Sequence, residues 1–162
     1  MTTLRTFVLV VATLSMGLAA GLFYTFQVAV MRGLARTDDR TFVAAMQWIN
    51  VKILNFWFAL SFGGALVLAL LSAVLFVGAD DRTAFWWIVA GLVLYAITIG
   101  ITGGRNVPMN NALNAAGDPD KIADLAAVRR AFEGPWVRWN LVRTWTSLLA
   151  FLCLILAMLT NN

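Results

Sequence analysis

The sequence predicts an all-α integral membrane protein, a four-helix bundle in which a long amphipathic connection joins the third helix to the fourth. Three observations carry this. Hydrophobic residues make up 61% of the 162 and charged residues 12%, against about 45–50% and about 25% in soluble domains. All the charges avoid four runs, 6–31, 53–79, 83–104 and 144–162. At about 1.5 Å of rise per residue, about 20 helical residues cross a hydrocarbon core about 30 Å thick, which is the scale of these runs.

The first run follows Arg5 and passes Phe23, Tyr24, Phe26 and Val28 before it ends at Met31. That is longer than the apolar core of a cleaved leader, so it reads as an uncleaved span. We expect spans at about 6–31, 53–77, 85–101 and 145–159, in one domain over 1–162 with both termini on the same side. The Asp80-Asp81-Arg82 turn makes spans two and three antiparallel neighbours. In the first long connection, Phe42, Met46 and Ile49 recur at near-helical spacing, which predicts that helix two starts outside the bilayer near Thr41. In the second, Asp118-Pro119 has the form of a helix start. Ile122, Leu125, Val128 and Phe132 then form an apolar stripe that lies on the membrane or caps the bundle, and Gly134-Pro135 ends it. Gly17/Gly21 and Gly100/Gly104 predict close helix contacts.

The long connections hold Arg32, Arg36, Arg40, Lys52, Arg105, Lys121, Arg129, Arg130, Arg138 and Arg143, whereas Arg5 and Arg82 fall on the other side. An excess of basic residues marks cytoplasmic loops, so the long loops are expected in the cytoplasm, the membrane being a bacterial plasma membrane. The net charge of +4 has no groove-reading scaffold beside it and does not predict nucleic-acid binding.

The composition removes several chemistries. With no histidine and one cysteine, Cys153, zinc sites, iron–sulfur clusters, histidine-ligated haem and Ser-His-Asp machinery are not expected. No metal and no cofactor is predicted. The spans contain no interior Asp, Glu or Lys, which disfavours a proton-coupled pump. What remains is a set of polar side chains gathered by antiparallel helices at the long-loop end. They are Tyr24 and Gln27 from helix one; Gln47, Asn50 and Asn55 from helix two; Asn106, Asn110 and Asn111 beyond helix three; and Trp136, Trp139, Asn140 and Arg143 from helix four. Trp136, Asn140, Arg143 and Ser147 share one helix face, which should point into the bundle because polar groups at membrane depth are costly. Singly, Arg143 could snorkel to the interface, the tryptophans could form an aromatic belt, and the asparagines could cap the chain around Pro108. Their coincidence predicts a polar-rimmed, aromatic-walled pocket.

Asn106-Val107-Pro108-Met109-Asn110, followed by Trp136-x-x-Trp139-Asn140-x-x-Arg143-Thr144, together with Met46-Gln47-x-x-Asn50 and Asn55, resembles the anthrone oxygenase family of small four-span membrane proteins. The likeness covers nearly the whole chain and departs from the family pattern at Arg32 and Phe56. It implies oxidation of an anthrone by molecular oxygen without a recognised metal or organic cofactor. Carried over position by position, it implies Arg143, Asn140, Asn106 and Asn110 as the catalytic set and Trp136 as an aromatic wall. With Trp139, Asn50, Asn55, Gln27 and Tyr24 these form the expected substrate site. The predicted function is a membrane-embedded, cofactor-independent oxygenase acting on a flat lipophilic phenolic molecule. The rival is a non-catalytic protein that binds or moves a lipophilic anion, or a small subunit of a membrane assembly. Its predicted partners are the lipid bilayer, the lipophilic molecule and oxygen; oligomerisation is left open.

Overall fold

The computed structural model describes residues 2–79 and 82–160, and every regular element among them is helical. α1 (Thr2–Thr25) runs through a π turn (Phe26–Val30) into α2 (Met31–Leu34). α3 (Asp39–Lys52) follows, then α4 (Phe56–Phe58), a second π turn (Ala59–Gly63) and α5 (Gly64–Phe76). α6 (Thr83–Ile101) continues through a third π turn (Thr102–Asn106) into α7 (Val107–Ala115). After one 3-10 turn (Pro119–Lys121) comes the long α8 (Leu125–Leu159). Four stretches, Thr3–Leu34, Phe56–Phe76, Thr83–Ala115 and Leu125–Leu159, are long and apolar enough to cross a membrane, which marks the chain as a membrane protein.

Several boundaries differ from those expected. α3 is not the outer end of span two but a separate helix, because Asn55 adopts an extended conformation between them. Its side chain serves both ends of the break: Oδ1 accepts from the Phe58 N–H at 3.1 Å, and Nδ2 donates to the Lys52 carbonyl at 2.8 Å. Pro108 does not end the third span. The π turn before it shifts the hydrogen-bond ladder, and the missing proline N–H falls in the first turn of α7. Pro135 does not end the amphipathic segment either, since α8 runs through it. Phe132 and Trp136, buried on either side, hold the helix against the rest of the protein, which offsets the lost bond. The expected start at Asp118-Pro119 is only the 3-10 turn, and Asp124 caps α8 by accepting from the Ala127 N–H at 2.8 Å. The Asp80-Asp81 turn lies outside the described residues.

Two buried clusters result. One joins α1, α5, α6 and α8 through Leu9, Met16, Ala65, Ala69, Ile88 and Leu154, among others, with alanines that let the helices approach. At Gly91 the helix meets neighbouring backbone, where an added Cβ would lie 3.1 Å from the Ala150 carbonyl oxygen. Of the expected glycine pairs, Gly17 meets the Phe151 ring, with 2.9 Å available to a Cβ, whereas Gly21, Gly100 and Gly104 face open space. The other cluster packs Phe42, Val43 and Met46 of α3 against Leu113, Phe132 and Trp136, so the amphipathic stripe caps the bundle. Arg129 fastens this cap. It donates to Asp39 at 2.9 Å, Glu133 at 2.7 Å and the Thr37 carbonyl at 2.8 Å. Arg40 pairs with Asp120 beside it.

Candidate functional site

The site lies where the two clusters meet, and each of the three π turns has a cavity-lining residue at or beside its start: Phe26, Phe58 and Thr102. A π turn loosens the carbonyl ladder and is common at functional sites. Here donors from other spans act at or beside the turns. Asn140 Nδ2 reaches the Phe23 carbonyl at 3.2 Å, Tyr95 the Phe62 carbonyl at 2.9 Å, and Asn106, within the third turn, donates to the Trp136 carbonyl at 3.4 Å.

Arg143, only 6% exposed, projects from α8 into this junction. Its guanidinium lies 4.4 Å from the Phe23 ring centroid and 5.0 Å from that of Trp136. Its Nε donates to Asn140 Oδ1 at 3.0 Å. The four salt bridges among the described residues involve other side chains, and none supplies Arg143 with a carboxylate. Burial of an ion costs several kcal/mol, and cation–π contacts return about 2 kcal/mol each when desolvated. The guanidinium is therefore held between aromatic faces with no carboxylate beside it, and Arg143 lines the cavity.

Asn140 sets that geometry. Fully buried, it donates to Gln27 Oε1 at 2.9 Å and to the Phe23 carbonyl while accepting from Arg143, so its amide is saturated. Asn110 accepts from the Trp136 indole N–H at 2.8 Å and fixes the ring against Arg143. Among the described residues, two buried side-chain polar atoms lack a partner, Asn50 Nδ2 and Asn106 Oδ1; Asn50 lines the cavity with Arg143. Orphaned buried groups of this kind cost about 1–3 kcal/mol and serve a site better than a core. The cavity measures about 70 Å³ and is lined by Phe23, Asn50, Phe58, Thr102, Trp136 and Arg143, among others. This holds a few waters and falls below the roughly 300 Å³ of ordinary ligand pockets.

The structure thus gathers Arg143, Asn140, Asn106, Asn110, Trp136, Asn50 and Gln27. Three predicted site residues stand elsewhere. Tyr24 is 50% exposed on the outside of α1, because the inward face follows Leu9, Ala12, Met16, Ala19, Phe23 and Phe26 at alternating spacings of three and four. Asn55 is the cap described above and is exposed. Trp139 stacks under Arg105, 5.0 Å away, outside the cavity lining. Phe23, Phe26, Phe58 and Thr102 were missed; the heptad-like spacing of α1 carried the signal for the first two. Among the described residues, no group of three or more His, Cys, Asp or Glu side chains could hold a metal ion.

Residues 54–153 match the family model described as Anthrone oxygenase. No curated protein and no solved structure matches the chain. The matched stretch holds Asn106, Asn110, Trp136, Asn140 and Arg143, whereas Phe23, Gln27 and Asn50 come from the helices before it. Covering more than half of the 162 residues, Arg143 and Trp136 of the cavity among them, the match shows that the chain belongs to the anthrone oxygenase family.

Proposed function

We propose that the cavity binds the oxyanion of a flat lipophilic phenol or anthrone and promotes its reaction with molecular oxygen without a metal or organic cofactor. One observation carries this: Arg143 is buried beside the cavity and paired with aromatic faces instead of a carboxylate. An anthrone methylene is acidic because its enolate places the charge on oxygen. The Arg143 guanidinium and Asn50 Nδ2 donate to that oxygen, stabilising charge as it develops, while Trp136 and Phe23 flank the rings. Water takes the methylene proton. The enolate passes one electron to oxygen, the radical pair combines to form a C–O bond, and the proton returned from water makes the peroxide anion a substrate hydroperoxide. Loss of water leaves a carbonyl, so CH2 and O2 become C=O and H2O. The protein supplies binding, orientation and the positive charge.

Oxygen uptake by purified protein in lipid nanodiscs, given an anthrone under air, tests this. Uptake above the spontaneous rate that is lost in Arg143→Met supports the reading. Wild-type uptake no faster than the background overturns catalysis on that substrate. A second reading, binding of a lipophilic anion with no chemistry, is favoured by the absence of a carboxylate among the described cavity-lining residues to take the proton; binding without uptake is its signature. With either reading we place the long loops, and so the capped end, on the cytoplasmic side of a bacterial plasma membrane. Labelling of single cysteines at Arg36 and Lys121 from the opposite side contradicts that placement.

A further inference from the structure

The cavity at Arg143 is too small for a three-ring substrate, yet a much larger void lies against its outer wall. A groove of about 510 Å³ runs between Ser15, Leu18 and Leu22 of the first span and Trp57, Phe58 and Ser61 of the second. Leu18, Trp57 and Leu60 on its margins are more than half exposed, on a surface at span depth, where lipid lies. The Ser61 hydroxyl turns back to the Trp57 carbonyl at 3.0 Å, which leaves the groove with little free polarity. Leu22, Ile53 and Phe58, all half-buried, line both the groove and the Arg143 cavity, and so stand as a partition between the two. Ile53 sits in the break between α3 and α4, where no continuous helix stiffens the backbone. From the partition an aromatic series leads inward. Phe58 stacks on Phe62 with centroids 5.0 Å apart, Phe62 meets Phe23 edge-on at 5.8 Å, and Phe23 lies under Arg143.

We infer that this lateral groove is the admission site for a neutral, flat lipophilic phenol dissolved in the bilayer, which passes the Leu22–Ile53–Phe58 partition and comes to rest with its oxygen at Arg143. The inference rests on the function proposed above. The occupant follows from continuity: the only charge behind the apolar groove is a guanidinium without a carboxylate among the described residues, reached along ring faces. A neutral phenol partitions into lipid and crosses the partition uncharged. Ionisation beside Arg143 then retains it. Groove and cavity together reach the size of ordinary ligand pockets, about 300–1,000 Å³.

The test uses full-length protein in nanodiscs, with Cys153→Ala and a single Ser61→Cys, and 2-hydroxyanthraquinone as probe, followed by stopped-flow quenching of tryptophan emission. After folding, Ser61→Cys receives either a bulky pyrene maleimide or a methylthio group. The expected result is that the pyrene adduct slows association by at least about tenfold relative to the methylthio adduct and weakens affinity, because the rings of the bound probe extend into the groove while its oxygen rests at Arg143. Arg143→Met weakens affinity without slowing association. Equal rates for the two adducts, with Arg143→Met still weakening affinity, overturn the lateral route alone and leave the groove to lipid. Loss of affinity on pyrene labelling with association unchanged also overturns it, since the adduct then acts on the bound state and not on entry. Binding that Arg143→Met leaves unchanged, or no binding by wild type, overturns the proposed function and the route with it.

Discussion

The two buried clusters of this bundle are built on opposite rules. The one that joins α1, α5, α6 and α8 is regular: leucine, isoleucine and alanine fill it, and one of its helices meets neighbouring backbone at a glycine. The one that joins α3, α7 and the first half of α8 borders the first and third π turns, a guanidinium with no carboxylate beside it and two orphaned amides. Regular helices satisfy their own backbone and have nothing left to offer a ligand. A π turn disturbs that closure and draws side-chain donors inward. The comparison teaches that this chain spends stability at one end of the bundle and secures it at the other.

The largest expected effect comes from Asn140→Leu. It removes the bond that aims Arg143 and leaves Gln27 and the Phe23 carbonyl unpaired, so we expect a loss of about 3 kcal/mol together with loss of anion binding, measured by thermal unfolding and by probe titration. Gly91→Val should divide the two regions. Its Cβ meets the Ala150 carbonyl oxygen at 3.1 Å, and overpacking costs about 1–3 kcal/mol, but affinity per folded molecule should hold because the site is elsewhere. A Gly91→Val protein that is stable yet binds poorly would erase the distinction between the clusters. Arg129→Met removes the fastening of the cap and should cost about 1–2 kcal/mol, with faster proteolysis confined to α3 and its flanks.

The smallest effect is in acid. The Thr41 backbone N–H and then the Thr41 hydroxyl hold the Asp38 carboxyl below its ordinary range, and Arg40 does the same for Asp120. A carboxyl lowered by folding contributes stability that is complete above the ordinary carboxylate value and is lost as pH falls through the lowered one. The Tm difference between wild type and Asp38→Asn should therefore shrink between about pH 5 and about pH 2. A constant difference would mean that the cap does not use this charge.

How much of this was legible in the sequence follows the same division. The regular cluster declares itself in the charge-free runs that give the spans, and one periodicity along α8 places Trp136, Asn140, Arg143 and Ser147 of the site on one buried face. The distorted cluster does not. Nothing local in Phe26–Val30 signals a π turn. Pro135 carries a strong breaking signal that the burial of Phe132 and Trp136 overrides. Tyr24 has the chemistry of a site residue, but the helical face points to its neighbour Phe23; Asn55 keeps the company of the motif, but its amide is occupied by two helix ends.

The central claim is that Arg143 presents an uncompensated positive charge to the cavity. The direct measurement is the spectrophotometric pKa of 2-hydroxyanthraquinone bound to the protein in nanodiscs, against the same probe in empty nanodiscs. A cation within contact distance lowers an acid's pKa by about 1–3 pH units, so wild type should bind the coloured phenolate well below the free probe's pKa and Arg143→Met should not. An unshifted pKa in wild type, or the same lowering in both proteins, contradicts the account.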